Sequence, residues 1–424
     1  MENSTTVNLM SYNSTGLDSV KTNWIRDIMQ TCKIYFFQLQ EHFKSTKTID
    51  SYFRKEFPRN DSFVIPGFRE PFQDSGRAKG GLAQLVSKEL DIKKEKISTI
   101  SWRIQSQILH MNTYRIIWFN CYFPTDPQTV QYDDGELKEV LNEIENILDN
   151  NDFDDCVIGG DLNYDSTRIS GFARIVRDFM ARLGISSVWE KFPADFTHLH
   201  TDNKSTSVLD HFLVNQRLLD LVEDAGPVHL GDNLSRHSPV MMRLKLPAIP
   251  ARATQPEVPR RQKPAWYKAT QEDKDNYTTL LDLKLKDTVV PESIDCVDVS
   301  CQCESHTRER DKLVIDILCS VIETSHTCIP LTGRSTKPGQ KQHQSLPGWK
   351  EHVAPLKKDS LFWHSVWLSA GRQTSGSLYQ VMCHVRGKYH LAVRQAKKLA
   401  ETAKARELAA ASEAGDIALM KELK

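Results

Sequence analysis

The first 248 residues predict an α+β protein of two packed β-sheets flanked by helices, and the rest predicts a mainly helical C-terminal region. Three observations point there. Short strand-like stretches alternate with amphipathic helical stretches as far as residue 248. A proline-rich segment then interrupts the pattern, and beyond it apolar residues recur mostly at helical spacing. Many short strands with interspersed helices bury their apolar faces best as two sheets packed together under helices.

Taken in order, VNLMSYN (7–13) alternates as a strand, and SVKTNWIRDIMQT spaces its apolar residues as a helix does. IYFFQLQE (34–41) is a buried-strand run, and SFVIPGF, GGLAQLVSK and YRIIWFNCYFP read as further strands. DGELKEVLNEIENILDN is an amphipathic helix with Asp134 as a good N-cap. DDCVIGGDLN is a short apolar strand ending in Gly-Gly, and GFARIVRDFMARLG is a helix stopped by glycine. TSVLDHFLVN and SPVMMRLKLP close the set. Pro247, Pro250, Pro256, Pro259 and Pro264, with Arg260 and Arg261 among them, mark an extended linker. The expected organisation is a domain at 1–248, a linker at 249–270 and a helical region at 271–424. That last region ends in a long Ala/Lys-rich helix from His384, expected to be solvated or to bind a partner, and Trp349, Trp363 and Trp367 are expected to pack a small helical core.

The net charge of zero hides an asymmetry. Residues 1–250 hold 28 Lys+Arg against 34 Asp+Glu, a balance of −6, and the remainder holds 27 against 21, a balance of +6. The acidic half is poorly suited to simple electrostatic capture of nucleic acid, whereas the basic half is compatible with it. No run approaches the ~20 apolar residues of a membrane helix. The start MENSTTVNLM lacks a basic region and an apolar core, so a secretory signal is not expected. Nine cysteines, four of them (Cys32, Cys121, Cys156, Cys319) in apolar surroundings, suit reduced thiols inside a cell, in nucleus or cytoplasm.

Chemistry-bearing residues stand at strand ends. Asn13 ends the first strand, Glu41 ends FFQLQE, Asp161 and Asn163 end VIGGDLN, and Asp210 lies in SVLDHFLV. Strand ends hold polar groups rigidly while the adjoining loop leaves room for a ligand. Singly, each is also an ordinary turn former. In the order QE, NCYFP, GGDLN, S-x-x-D-H-F-L-V and S-x-H-S-P-V they form a constellation, and it resembles the endonuclease/exonuclease/phosphatase family of metal-dependent phosphoesterases over roughly residues 6–246. SYNSTGL, LQEH, GRAKGGLAQLVSK, NCYFPTDP and LSRHSPV are most similar to endonuclease domains of non-LTR (LINE-type) retrotransposon polyproteins. The downstream PGWKEHVAPLKKDSLFWHSVW and VRGKYHLAVRQAKK look like the connector that precedes the reverse transcriptase there, a polymerase absent from this chain.

The resemblance implies a four-layered sandwich of two mixed β-sheets flanked by helices. It also implies hydrolysis of a phosphodiester in a target DNA duplex, with Mg²⁺ as cofactor and Mn²⁺ as the alternative ion. Glu41 would bind the metal, and Asp161 would orient or deprotonate the attacking water. Asn163 and Asn13 would hold the phosphate or the metal shell, and Tyr122 would sit near the phosphate. His237, positioned by Asp210, would stabilise developing charge, with Thr197, Ser207 and Arg236 near the DNA backbone. The basic C-terminal region is a candidate contact for the element's RNA. Two positions depart from the family: Arg236 replaces an acid directly before the last histidine, and Thr15 replaces an Asp or Asn. They leave open a catalytically degenerate remnant with a binding role. Separately, a relative acting on abasic DNA or on lipid or inositol phosphates is the other alternative, although the sequence carries no lipid-binding cue.

Three further features are read as lesser signals. Tyr-Asp-Asp (132–134) precedes a helix and lacks a polymerase context. Cys296, Cys301, Cys303 and His306 have no standard zinc spacing. His211, next to Asp210, faces the other side of its strand and is expected to be structural.

Overall fold

A computed structural model describes residues 4–45, 49–69, 77–111, 114–129, 135–202, 205–247, 249, 264–291, 294, 303–331 and 346–414. Asp134, Cys296 and Cys301 lie outside the described residues. Two compact units are distinguished: Met1–Ala253 together with Ser345–Lys424, and Thr254–Gln344.

The first unit begins β1 (Ser4–Asn13), α1 (Ser19–Thr31), β2 (Ile34–Gln40), α2 (Ile49–Glu56), β3 (Asn60–Ile65) and β4 (Leu82–Ser87). It continues with β5 (Lys93–Ile97), β6 (Ile104–Met111), β7 (Tyr114–Tyr122), α3 (Gly135–Asp149), β8 (Asp155–Asp161) and α4 (Gly171–Leu183). Then follow β9 (Ile185–Ser187), β10 (His198–Leu199), β11 (Thr206–Ser207), β12 (Asp210–Asn215), α5 (Gln216–Asp220), β13 (Val222–Pro227) and β14 (Val240–Pro247). One mixed sheet runs β13-β14-β1-β2-β4-β3 and the other β5-β6-β7-β8-β12-β9; β10 and β11 form a separate ribbon.

The expected sandwich of two mixed sheets is present. Val7, Leu9, Phe36, Val240 and Met242 of the first sheet pack against Trp118, Val157, Phe212 and Val214 of the second. The outer face of the first sheet buries Met10, Phe37 and Leu39 under Ile25, Ile28 and Phe53 of α1 and α2. The outer face of the second buries Ile117, Phe119 and Ile158 under Leu141, Ile144, Val176 and Phe179 of α3 and α4. Alternation along each strand places one set of side chains between the sheets and the other under the helices.

Between the sheets, near one edge, the packing turns polar. Gln38 and Gln40 donate to Ser11 Oγ at 3.0 and 3.1 Å, Gln40 also donates to Asn120 at 2.7 Å, and Trp118 Nε1 donates to Gln38 at 2.6 Å. Each sheet holds one parallel pair, β1 with β2 and β7 with β8, so four carboxyl ends reach the same edge. β12 runs antiparallel to β8, and its first residue, Asp210, faces Asp161 in register.

The first unit also includes α8 (Ala354–Ser369) and α9 (Gly376–Glu413). α9 is not solvated all round: Tyr379, Met382, Tyr389, Val393 and Ala396 are buried. Trp367 is buried with Phe196, Leu199, Tyr379 and Met382. In the second unit, α6 (Gln271–Lys286) and α7 (Glu304–Cys328) are joined by a Lys284–Glu323 ion pair of 2.8 Å. No described helix is long and apolar enough to cross a membrane.

Candidate active site

Asp161 ends β8 because the chain there must pass very close to β7. A Cβ on Gly160, whose φ is +143°, would lie 1.9 Å from the Cys121 carbonyl oxygen, and one on Gly159 would lie 2.3 Å from Gln38 Nε2. The Gly-Gly pair is therefore a steric requirement, and it delivers Asp161 to the edge shared by the sheets. Asp161 is 2% exposed and Asp210 0%, so both carboxylates are withdrawn from solvent.

The four central groups are connected. Asn13 Nδ2 donates to Asp161 Oδ2 at 2.8 Å, tying β1 of one sheet to β8 of the other. His237 Nδ1 donates to Asp210 Oδ2 at 2.9 Å, and its Nε2 stands 3.8 Å from Asp161 Oδ2. Burial pushes the His237 imidazole down, but Asp210, then Asp161, outweigh it and raise its pKa to about 9. Burial, with Asp210 and Glu41 as like charges, raises Asp161 above the usual carboxylate range against the pull of His237 and Asn13. A protonated imidazole between two acids is the arrangement these opposing influences favour.

Glu41 directly follows β2 in a left-handed conformation, φ +54°, its carbonyl accepting from Gly16 at 2.7 Å. Thr15 (φ +48°) and Asn163 (φ +47°) are also left-handed, so three non-glycine residues at this edge hold an uncommon conformation. Asn163 donates its amide N–H to Asp161 Oδ1 at 3.2 Å and its Nδ2 to Phe123 O at 2.9 Å. The phenol of Tyr122, which faces Asp161 in the β7–β8 register, is pushed well up by burial and then by Glu41 and Asp161.

The remaining expected residues flank this group. Thr197 Oγ1 accepts from the amides of Leu209 and Asp210 at 2.8 and 3.0 Å and so holds the start of β12. Ser207 Oγ accepts from Arg168 Nη2 at 2.9 Å and lies 2.8 Å from His200 Nε2. Arg236 donates to His200 O at 2.7 Å, bracing the β10–β11 ribbon. Thr15 Oγ1 pairs with Ser235 Oγ at 2.6 Å. His211 is buried against Tyr164 O at 2.7 Å, a structural contact.

Sequence reasoning missed the residues that shape the histidine loop. Asn233 accepts from Tyr12 Oη at 2.8 Å and from the Ser235 amide at 2.9 Å, and donates to His237 O at 2.7 Å. Ser235 Oγ donates to Asn13 O at 2.8 Å and accepts from the His237 amide at 3.2 Å. Their signal was local: Asn233 and Ser235 precede His237 by four and two residues, the spacing of side chains that hydrogen-bond their own turn.

Among the described residues, Asp161, Asp210 and His237 form the group whose ligand atoms lie close enough to share a metal, all within 4.8 Å. Asp210 Oδ1 is buried with no hydrogen-bond partner, an orphan acceptor beside a second acid whose ionisation is disfavoured. Buried carboxylate oxygens with spare lone pairs suit a hard divalent cation, so the cluster is compatible with such a site. A cleft of about 520 Å³ lies beside Arg115, at the opposite end of β7, and shares no lining residue with this cluster.

Fold and site together give two packed mixed sheets that present an Asn–Asp···His–Asp run at their common edge, and the chain is similar to the endonuclease/exonuclease/phosphatase superfamily, whose members are hydrolytic nucleases and phosphatases. Residues 116–241 match the family model described as endonuclease-reverse transcriptase. That segment runs from β7 into β14 and holds Tyr122, Asp161, Asn163, Thr197, Ser207, Asp210, Arg236 and His237. Among solved structures, the chain is similar to the AP endonuclease LMAP from Leishmania major, at 18% identity and a TM-score of 0.46 over 57% of this chain and 88% of that one. It is similar to the endonuclease domain of TRAS1, a telomere-specific non-LTR retrotransposon, at 14% identity and 0.43 over 57% and 100%. An AP endonuclease from Archaeoglobus fulgidus gives 15% and 0.42 over 56% and 98%. The curated proteins contain no match to the chain.

Proposed function

We propose that this chain is a Mg²⁺-dependent phosphodiesterase acting as a DNA endonuclease, nicking target DNA so that the freed 3′-hydroxyl primes reverse transcription of a retroelement. The observation that supports this reading is the buried Asn13–Asp161···His237–Asp210 run, with Glu41 and Tyr122 beside it. Glu41 would hold the cation, with Asp161 and Asp210 contributing negative charge nearby. When bound, the cation neutralises charge on the phosphoryl oxygens.

The chain's own groups divide the remaining work. Asp161, raised by burial, takes the proton of the attacking water, and Asn13 and the Asn163 amide fix its two oxygens. His237, kept protonated by Asp210, directs Nε2–H at the developing oxyanion. Tyr122 keeps its proton and donates to the phosphate. Target duplex DNA is the substrate, contacted on the Arg236 and Ser207 side, and the element's RNA is a second partner for the basic C-terminal region. An intracellular location, nucleus or cytoplasm, follows from this role.

A silent binding remnant is the rival reading, resting on Thr15 and Arg236. Both side chains are engaged by protein, with Ser235 and with the His200 carbonyl. Neither contact places a cation against the carboxylates. Nicking of supercoiled plasmid by the purified chain with Mg²⁺ decides between the two. Asp161→Ala and His237→Ala should each abolish nicking, a loss on the order of 10³-fold or more if each group contributes as general-base and oxyanion groups ordinarily do. Equal residual nicking in wild type and both variants would sink the assignment.

A further inference from the structure

We infer that the C-terminal helix α9 completes the active site, with Arg386 acting as a positioning residue for His237. This inference rests on the nuclease reading of the site. Arg386 lies far from the carboxylates in sequence, and among the described residues its side chain bonds to backbone rather than to a carboxylate. Its Nη2 donates instead to two backbone carbonyls of the histidine loop, Ser235 O at 2.7 Å and Asn233 O at 3.1 Å. His390, one turn further along α9, brings Nε2 to Asn233 O at 2.9 Å. Burial lowers the pKa of both groups, and Arg386 Nε is buried with no hydrogen-bond partner. A guanidinium enclosed in this way needs its carbonyl partners, so the turn they belong to has little freedom to move.

That turn carries both halves of the catalytic run. Asn233 holds the His237 carbonyl, and Ser235 bridges the His237 amide to the Asn13 carbonyl. Arg386 therefore grips the two residues that hold the His237 backbone, one of which, Ser235, also ties it to Asn13.

The neighbouring contacts are close enough to make α8 and α9 part of the loop's wall. Ser360 Oγ donates to Gly231 O at 2.6 Å, and a Cβ on Gly231 would come within 2.7 Å of His364 Cβ. Lys357 pairs with Asp232 at 3.0 Å, and Lys397 pairs with Asp18, the N-cap of α1. Residues 231–237 thus run between the nuclease sheets and the α8–α9 pair. Catalysis depends on that wall because Nε2 of His237 must keep its distance from Asp161; a misplacement of about 1 Å can cost about 10²-fold in rate.

The experiment compares full-length wild type, Arg386→Met, Arg386→Lys and His390→Ala in Mg²⁺-dependent nicking, and follows amide exchange of residues 231–238 by mass spectrometry. The inference expects kcat to fall by about 10²-fold in Arg386→Met with KM little changed, partial rescue by Arg386→Lys, and faster exchange in the 231–238 loop. His390→Ala removes one donor without burying an unmatched group, and should give the same changes in smaller measure even if Arg386→Met does not fold. Nicking and loop exchange at wild-type levels in His390→Ala and Arg386→Lys alike would overturn the inference. If wild type itself fails to nick, the nuclease reading falls. In that case wild-type exchange rates in Arg386→Met would overturn the coupling as well, and faster exchange would leave the coupling standing without it.

Discussion

At the scale of single residues, the site is a balance between burial and charge. Burial alone would neutralise the His237 imidazole, yet Asp210 and Asp161 raise its pKa to about 9. The sign matters. A histidine raised above its ordinary value is charged below that pKa and loses both its charge and its stabilising pairing as pH climbs through about 9. Nicking should therefore hold through neutral pH and decline on the alkaline side near pH 9, at fixed metal concentration. Asp210→Asn removes the largest charge that opposes desolvation, so the alkaline limb of its pH–rate profile should move to lower pH, alongside a lower maximum. An unmoved limb would show that another group sets it. Asn13, Asp161 and Asp210 stand out in the sequence at strand ends, but singly they read as turn formers; they and His237 become a constellation only through the order that resembles the endonuclease/exonuclease/phosphatase family. Arg236 was legible only as a departure: its partner, the His200 carbonyl, is 36 positions away and carries no side-chain signature.

At the scale of elements, legibility follows periodicity. β1, β2, β7, β8, α3 and α4 have strong apolar patterns and appear where the sequence places them. β5 (KKEKI) and β6 (IQSQILHM) went unread, because Lys, Glu and Gln mask their alternation. The masking is functional in β6, where Gln105 is buried and its Oε1 accepts from Asn120 Nδ2 in the polar layer between the sheets. Gln38 and Gln40 make the same point: within an apolar run they read as strand interior, and beyond Ser11 of their own sheet their partners, Trp118 and Asn120, come from the facing sheet. The β7–β8 crossing is the element on which the site depends. Gly160→Ala would force a methyl group to within 1.9 Å of the Cys121 carbonyl, and backbone in a sheet ladder cannot move aside. The expected cost is about 3 kcal/mol, the upper end for overpacking, plus strain at a φ that alanine avoids. Thermal unfolding should show a melting temperature lower by on the order of 5 °C or more. A variant that melts like wild type would mean that β7 and β8 are less closely apposed than described.

At the scale of the whole molecule, the first unit joins segments far apart in sequence, and nothing local announces the join. The composition break at 247–264 is a local signal and is easy to read. The docking of α8 and α9 on the 228–237 loop is long-range, held by groups such as Arg386 that look like ordinary surface cations in a basic helix. Trp367 is the test of that docking. It is 1% exposed, donates Nε1 to Gln373 O at 2.8 Å, and packs with Phe196 and His229 of the sandwich as well as Tyr379 of α9. Phe196 adjoins Thr197, which holds the Asp210 amide, and His229 contacts Ser238, next to His237. Removing the indole leaves a cavity between α8 and the residues that support Asp210 and His237 of the proposed site. Trp367→Ala should cost about 3–5 kcal/mol. If α8 and α9 are integral to the two-sheet sandwich, the loss falls on its main unfolding transition, and the proposed nicking should fail at a correspondingly lower temperature. An appendage would behave otherwise: the main transition and the temperature limit of nicking would stay where they are in wild type, with only a minor transition displaced.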